Sequence, residues 1–163
     1  LGEADGQRTV RSQRICHTLK DAGVDCDLSE DMLKTLWTKF IIIASLAGLT
    51  SVCRTKIGVL LRDEDYVNLF MNIMEEMVRV VHEKEINLDP DVSAKTMRYV
   101  ETPAMDLVAS MHTDLSRGRK LELDALKGSV VRMGREVGVE TPINNYLYLS
   151  LKPHINGATN DSI

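Results

Sequence analysis

The chain has 163 residues, 44% hydrophobic and 27% charged, with a formal net charge of -4. That length suffices for one domain with its own core, and the composition is that of a soluble globular protein. The acidic balance argues against a nucleic-acid partner, which selects for a basic face.

Thr9 to Ala22 reads as a basic helix with Val10, Ile15 and Leu19 inward. Gly23 suits its C′ position, where a left-handed residue is needed. Val24 to Leu28 alternates apolar and polar residues, the period of a half-buried strand. A strand, helix and strand over 1–28 looks like the end of an α/β domain. The chain opens on Leu1 rather than Met, which reads as a fragment or processed piece, and no signal peptide is visible.

From Ser29 the period becomes helical. Ser29 is the expected N-cap, with Glu30 and Asp31 favouring the helix dipole. Leu33, Leu36, Trp37 and Phe40 share a face, and Phe40 to Leu49 is apolar all round, as in the central helix of a bundle. That stretch is too short to span a bilayer. Gly48 lowers helix propensity by roughly 1 kcal/mol, so a close neighbour is expected there. Asp63 caps a further helix carrying Val67, Phe70, Met71, Met74, Met77, Val78 and Val81 on one stripe. Asp89-Pro90, Thr102-Pro103 and Thr141-Pro142 each put a capping side chain before a proline and predict starts near Pro90, Pro103 and Pro142. Another helix is expected from about Arg119 to Val137, with Leu123, Leu126, Val130 and Met133 inward and Gly138 at its end. Residues 156–163 read as a flexible tail.

Few residues invite chemistry. Three cysteines, Cys16, Cys26 and Cys53, are an odd number with no close pair in sequence. They argue against a disulfide framework or zinc site and fit reduced cytoplasmic thiols. His82 and His112 lack a second ligand at metal spacing. Lys39 stands two residues after Trp37, at the mouth of the apolar stretch, where partial desolvation lets a lysine act as an acid near neutral pH. Taken alone it equally suits a lysine with its stem on Trp37 and its head in water. Ser110 and Glu122 read by themselves as helix-terminal polar residues.

Their ordered combination says more. Trp37-x-Lys39, Leu49-Thr50, Gly58, Glu75-Glu76, Ser110-Met111-x-x-Asp114, Gly118-Arg119, Glu122, Gly128, Gly134, Gly138 and Thr141-Pro142 resemble the C-terminal domain of the ketopantoate reductase (2-dehydropantoate 2-reductase) family. The match runs from about Ser29 to Pro153, and Leu1 to Gly6 resembles the family's glycine-glutamate strand and turn. The resemblance implies a mainly α fold, a helical bundle like the C-terminal domain of 6-phosphogluconate dehydrogenase, with a short N-terminal α/β remnant. Residues 1–28 would be the end of a Rossmann domain and 29–155 the helical substrate domain. It implies NADPH-dependent reduction of a small 2-keto acid in the cytoplasm, with Lys39 as the catalytic acid, Glu122 as the active-site glutamate and Ser110 on the substrate. Two family asparagines that also face the substrate fall on Ile43 and Ala47, and a third falls on Ile57, so the pocket is expected to be more apolar. The missing N-terminal Rossmann domain would hold NADPH, and this fragment alone is not expected to bind it. No metal and no membrane are implied, and a homodimer is expected. The other reading is a helical dimerisation or interaction module without catalysis.

Overall fold

The computed structural model describes residues 1–101 and 108–158, and the chain divides into two compact units, Leu1–Lys39 and Phe40–Ile163. The predicted start at Pro103 lies outside the described residues. Helix α1 spans Val10–Asp21 and α2 spans Met32–Cys53, with the division between the units falling inside α2.

In the first unit, the Thr9 side chain caps α1 by accepting from the Ser12 N–H at 3.1 Å. Gly23, at φ +77°, closes the helix, with the Gly23 and Val24 amides returning to the Lys20 and Leu19 carbonyls. This is the two-bond ending that a left-handed C′ residue permits. The inward face differs from expectation. Ser12 and Cys16 are buried, whereas Val10 is 82% exposed and Ile15 is 43% exposed. Val10 and Ile15 lie too far round the helix from Cys16 to share its face, whereas Leu19, three residues on from Cys16, is half-buried.

Val24 to Leu28 is not a strand, and no strand occurs among the described residues. The Leu1 ammonium donates to the Asp27 carbonyl at 3.0 Å, and the Ser29 amide donates to the Leu1 carbonyl at 2.7 Å. Alternation supplied the pattern of a strand, but a ladder one residue long falls short of a run of paired residues. The Glu3 carboxylate accepts from Thr9 Oγ1 at 2.6 Å and from the Arg11 guanidinium, clasping the turn at Gly6 to α1. The Arg11 and Thr9 hydrogen bonds hold that carboxyl below its usual range.

The second unit is all helix among its described residues. After the remainder of α2 come α3 (Ile57–Leu60), α4 (Glu64–Glu83), α5 (Val92–Val100) and α6 (Ser110–Ser116). A π-helical turn, Asp124–Gly128, then runs into α7 (Ser129–Val137), followed by α8 (Pro142–Leu151) and a 3-10 turn, Lys152–His154. The helix expected from Arg119 therefore begins about four residues later, after a connection turning at Gly118 (φ +61°). Leu123 and Val130 are buried as expected, and Gly138 ends α7 in the left-handed region at φ +73°.

Caps were legible in kind and less so in place. Asp63 caps α4 through the Asp65 amide at 2.9 Å. For α2 the cap is Asp31, which accepts from the Lys34 N–H at 2.9 Å, and Ser29 instead accepts from the Asp31 amide. Asp89-Pro90 leads to α5, but the residue before the helix is Asp91.

Ala44 to Ser51 of α2 are all buried, as the apolar stretch predicts for a central helix. At 22 residues and a mean hydropathy of 1.7, α2 is long and apolar enough to cross a membrane, longer than the stretch read from sequence. Half of that apolar window is nevertheless buried within the protein. Ile41, Ala44 and Leu49 pack with Ile57, Phe70, Ile73, Met74, Met77, Val130 and Leu147 in the main core. A smaller cluster joins Ala47, Met111, Leu121, Leu123 and Leu151.

Candidate functional site

The smaller cluster organises the predicted site residues of the second unit. Ala47 is 1% exposed, and Met111, Leu121 and Leu123 pack with it. Ser110 immediately precedes Met111 as the first residue of α6, and Glu122 sits between Leu121 and Leu123 just before the π-helical turn. Ser110 and Glu122 are both exposed, and each is next in sequence to residues that pack in the cluster with Ala47. Glu122 also lines a cavity of about 440 Å³ with Lys120, Asp124, Ala125 and Asn156. Ile43, one turn before Ala47, is 40% exposed. Lys39 belongs to the first unit, where its side chain is exposed. Asp114, a motif neighbour, pairs with Arg119 at 3.7 Å and its carbonyl receives the Arg119 amide.

A buried polar cluster sits between α2, α4, the π-helical turn and α8. Lys127 is 0% exposed, and its Nζ donates to Asn144 Oδ1 at 2.7 Å. Asn144 Nδ2 donates to Glu76 Oε2 at 2.7 Å and to the Ile73 carbonyl at 3.1 Å. Glu76, 2% exposed, also accepts the backbone N–H groups of Ile143 and Asn144 at 2.8 and 2.9 Å. A carboxylate from α4 thus caps α8, where the dipole favours negative charge. The expected cap, Thr141, makes no side-chain cap bond. Burial pushes the Lys127 ammonium down to about 7, with the Glu76 charge acting in the opposite sense.

Gly48 admits this lysine. A Cβ built there would stand 2.2 Å from Lys127 Cε and 3.1 Å from Leu147 Cδ1. The close neighbour expected at Gly48 is therefore Lys127. Gly134 plays the same part against the Val139 carbonyl, 2.7 Å from its would-be Cβ. Lys127 and Asn144 were missed in the sequence, although a signal existed. Glu76 falls at core register between Ile73 and Val80, and Lys127 falls at core register between Leu123 and Val131. Opposite charges on two apolar stripes point to a buried pair.

Residues 31–154 match the family described as Ketopantoate reductase PanE/ApbA C terminal. The chain belongs to the ketopantoate reductase family. It is 26% identical over 147 residues to a 2-dehydropantoate 2-reductase of Archaeoglobus fulgidus, covering 90% of this chain and 49% of that protein. It is 31% identical over 144 residues to one of Nostoc sp., covering 88% and 45%. A crystal structure of a ketopantoate reductase from Ralstonia eutropha superposes with a TM-score of 0.82 at 27% identity, covering 90% of this chain and 49% of that one. D-mandelate dehydrogenase in complex with NADH shares the fold, with a TM-score of 0.83 at 20% identity. The chain spans about half the length of the curated ketopantoate reductase relatives it matches. Its mainly α architecture is that of the family's C-terminal domain.

Proposed function

We propose that this chain is the substrate-binding and proton-donating half of an NADPH-dependent 2-keto acid reductase, of the type that converts ketopantoate to pantoate in pantothenate biosynthesis. The observation that carries the reading is the family match over residues 31–154, which takes in Lys39, Ser110 and Glu122 together. A glycine-rich turn between a strand and a helix, the usual cradle of a dinucleotide pyrophosphate, is lacking among the described residues. No residue of this chain is therefore assigned to that group. In an enzyme of this type, a nicotinamide cofactor bound elsewhere in the protein supplies hydride to C2 of the keto acid.

The chain's own residues handle charge and orientation. The Lys39 ammonium faces the carbonyl oxygen, stabilises negative charge as it develops there, and gives up a proton to make the hydroxyl. Glu122 contributes a carboxylate to the substrate pocket. Ser110 supplies a hydrogen bond to the substrate. Ile43 and Ala47 offer no polar group along α2, which favours a keto acid with an apolar side chain over one with a hydroxyl to be gripped. Localisation in the cytoplasm and a homodimeric assembly belong to the same reading.

The test is NADPH consumption by the full-length protein against a panel of 2-keto acids. Turnover of an apolar-chain member is expected, with a drop of at least about a hundredfold in Lys39→Ala, the scale of a lost general acid. No turnover of any 2-keto acid, or an unchanged rate in Lys39→Ala, would count against the reading. Titration of NADPH into this chain alone is expected to give no micromolar binding.

A further inference from the structure

We propose that Cys16 and Cys26 form a dithiol site that a peroxide converts to an intramolecular disulfide, locking α1 to the segment that holds Leu1. The two residues are ten positions apart, and folding of the first unit brings them together. Cys16 lies on the buried face of α1, and its Sγ donates to the Cys26 carbonyl at 3.2 Å. The Cys16 side chain is also the largest influence on the Cys26 thiol, raising it above its usual range. The two residues are 6% and 8% exposed, so both are shielded from solvent. Cys53 belongs to the other unit.

The surroundings suit the chemistry. Lys20, one turn along α1 from Cys16, places its positive charge where it acts on both sulfurs, and its ammonium is held by Asp27 at 3.3 Å. A cation beside a thiol favours the thiolate, the form that attacks. The Cys16 side chain and burial hold the Cys26 thiol above its usual range, with the Lys20 charge acting the other way. With hydrogen peroxide as oxidant, one sulfur attacks a peroxide oxygen. The O–O bond breaks, a sulfenic acid forms and water leaves. The second thiol attacks the sulfenic sulfur, the S–S bond forms and a second water leaves. Two sulfurs are each oxidised by one electron, and the peroxide is reduced to two waters.

The bond would close the loop containing the Gly23 turn and fix α1 against Asp27 and Ser29, the partners of Leu1. Loop closure restricts the unfolded chain and so favours the folded first unit. In a reducing compartment such bonds are transient and redox-responsive rather than structural.

The folded chain is treated with one equivalent of hydrogen peroxide, then alkylated in denaturant and mapped by peptide mass spectrometry. The expected product is a Cys16–Cys26 cross-linked peptide, lighter by two hydrogens, with Cys53 fully alkylated. The Cys53→Ser variant retains the cross-link, and Cys26→Ala abolishes it. The same treatment in concentrated urea gives a mixture of all three pairings, because the preference comes from the fold. Links to Cys53, or sulfinic acid at Cys16 or Cys26 in place of the cross-link, would overturn the proposal. So would an identical mixture of pairings in folded and unfolded chain. The wild-type peptide map decides the question even if the Cys26→Ala variant does not fold.

Discussion

At the scale of single residues, Lys127 dominates the physics of the bundle. Its ordinary value of 10.5 is lowered to about 7 by burial. Between those two pH values the unfolded chain binds a proton that the folded chain lacks, so stability from this group rises with pH across that window. Below about 7 both states hold the proton and the dependence vanishes. At roughly 1.4 kcal/mol for each pKa unit the full window corresponds to about 5 kcal/mol. A neutral amine still donates, so the bond to Asn144 survives deprotonation. Urea unfolding from pH 6 to 10 is expected to show the wild type gaining stability relative to Lys127→Met as pH rises, and a flat difference would show that Lys127 titrates normally. Gly48 is the complementary residue. Gly48→Ala adds about 1 kcal/mol of helix propensity but drives a methyl group into Lys127 Cε, whose Nζ is pinned. Overpacking of about 1–3 kcal/mol wins, and the urea midpoint is expected to fall.

At the scale of elements, the least obvious design is a helix capped from a distant helix. Thr141-Pro142 starts α8 as the sequence says, because proline lacks the N–H that would have no partner there. The next two amides go to Glu76 of α4, so the start of α8 depends on packing against α4. Glu76→Ala removes three hydrogen bonds and the only charge partner that burial leaves near Lys127 among the described residues. A cost of about 3–5 kcal/mol is expected, as for breaking other buried charge pairs. Hydrogen exchange should speed up at Ile143 and Asn144 before the rest of α8. Uniform acceleration across the bundle would mean that Glu76 contributes only to global stability.

At the scale of the whole molecule, self-association is the open physical property. Leu33 and Leu36 of α2 are 50% and 55% exposed, and Tyr146 and Leu149 of α8 are 67% and 53% exposed. Large apolar side chains in water favour a second copy, and two-fold pairing is the commonest way to bury them. Light scattering on a dilution series is expected to give twice the chain mass of 18.3 kDa at micromolar concentration. A mass that stays at the single-chain value up to high micromolar concentration would remove the dimer from the proposal.

The sequence by itself determined the mainly α class, the central apolar helix, the Met-rich stripe of α4, the glycine ends at Gly23 and Gly138, and the family. All of these rest on local periodicity, on backbone preferences of single residues, or on ordered motif spacing, which survive without three-dimensional contacts. Ser110 and Glu122 stand out in the sequence only through the family motif, since both residues alone read as helix-terminal polar groups. Other features were decided by tertiary structure. Val24 to Leu28 has a strand's pattern, but a strand exists only with a paired neighbour, and pairing is a property of chains brought together. Cys16 and Cys26 looked unrelated until α1 folded back over the turn at Gly23. Lys127, Asn144 and Glu76 come from three separated stretches, and their chemistry arises from the exclusion of water where those stretches meet. Burial changes what a lysine or a thiol is, and burial is set by the contacts of the whole fold rather than by the neighbours in sequence.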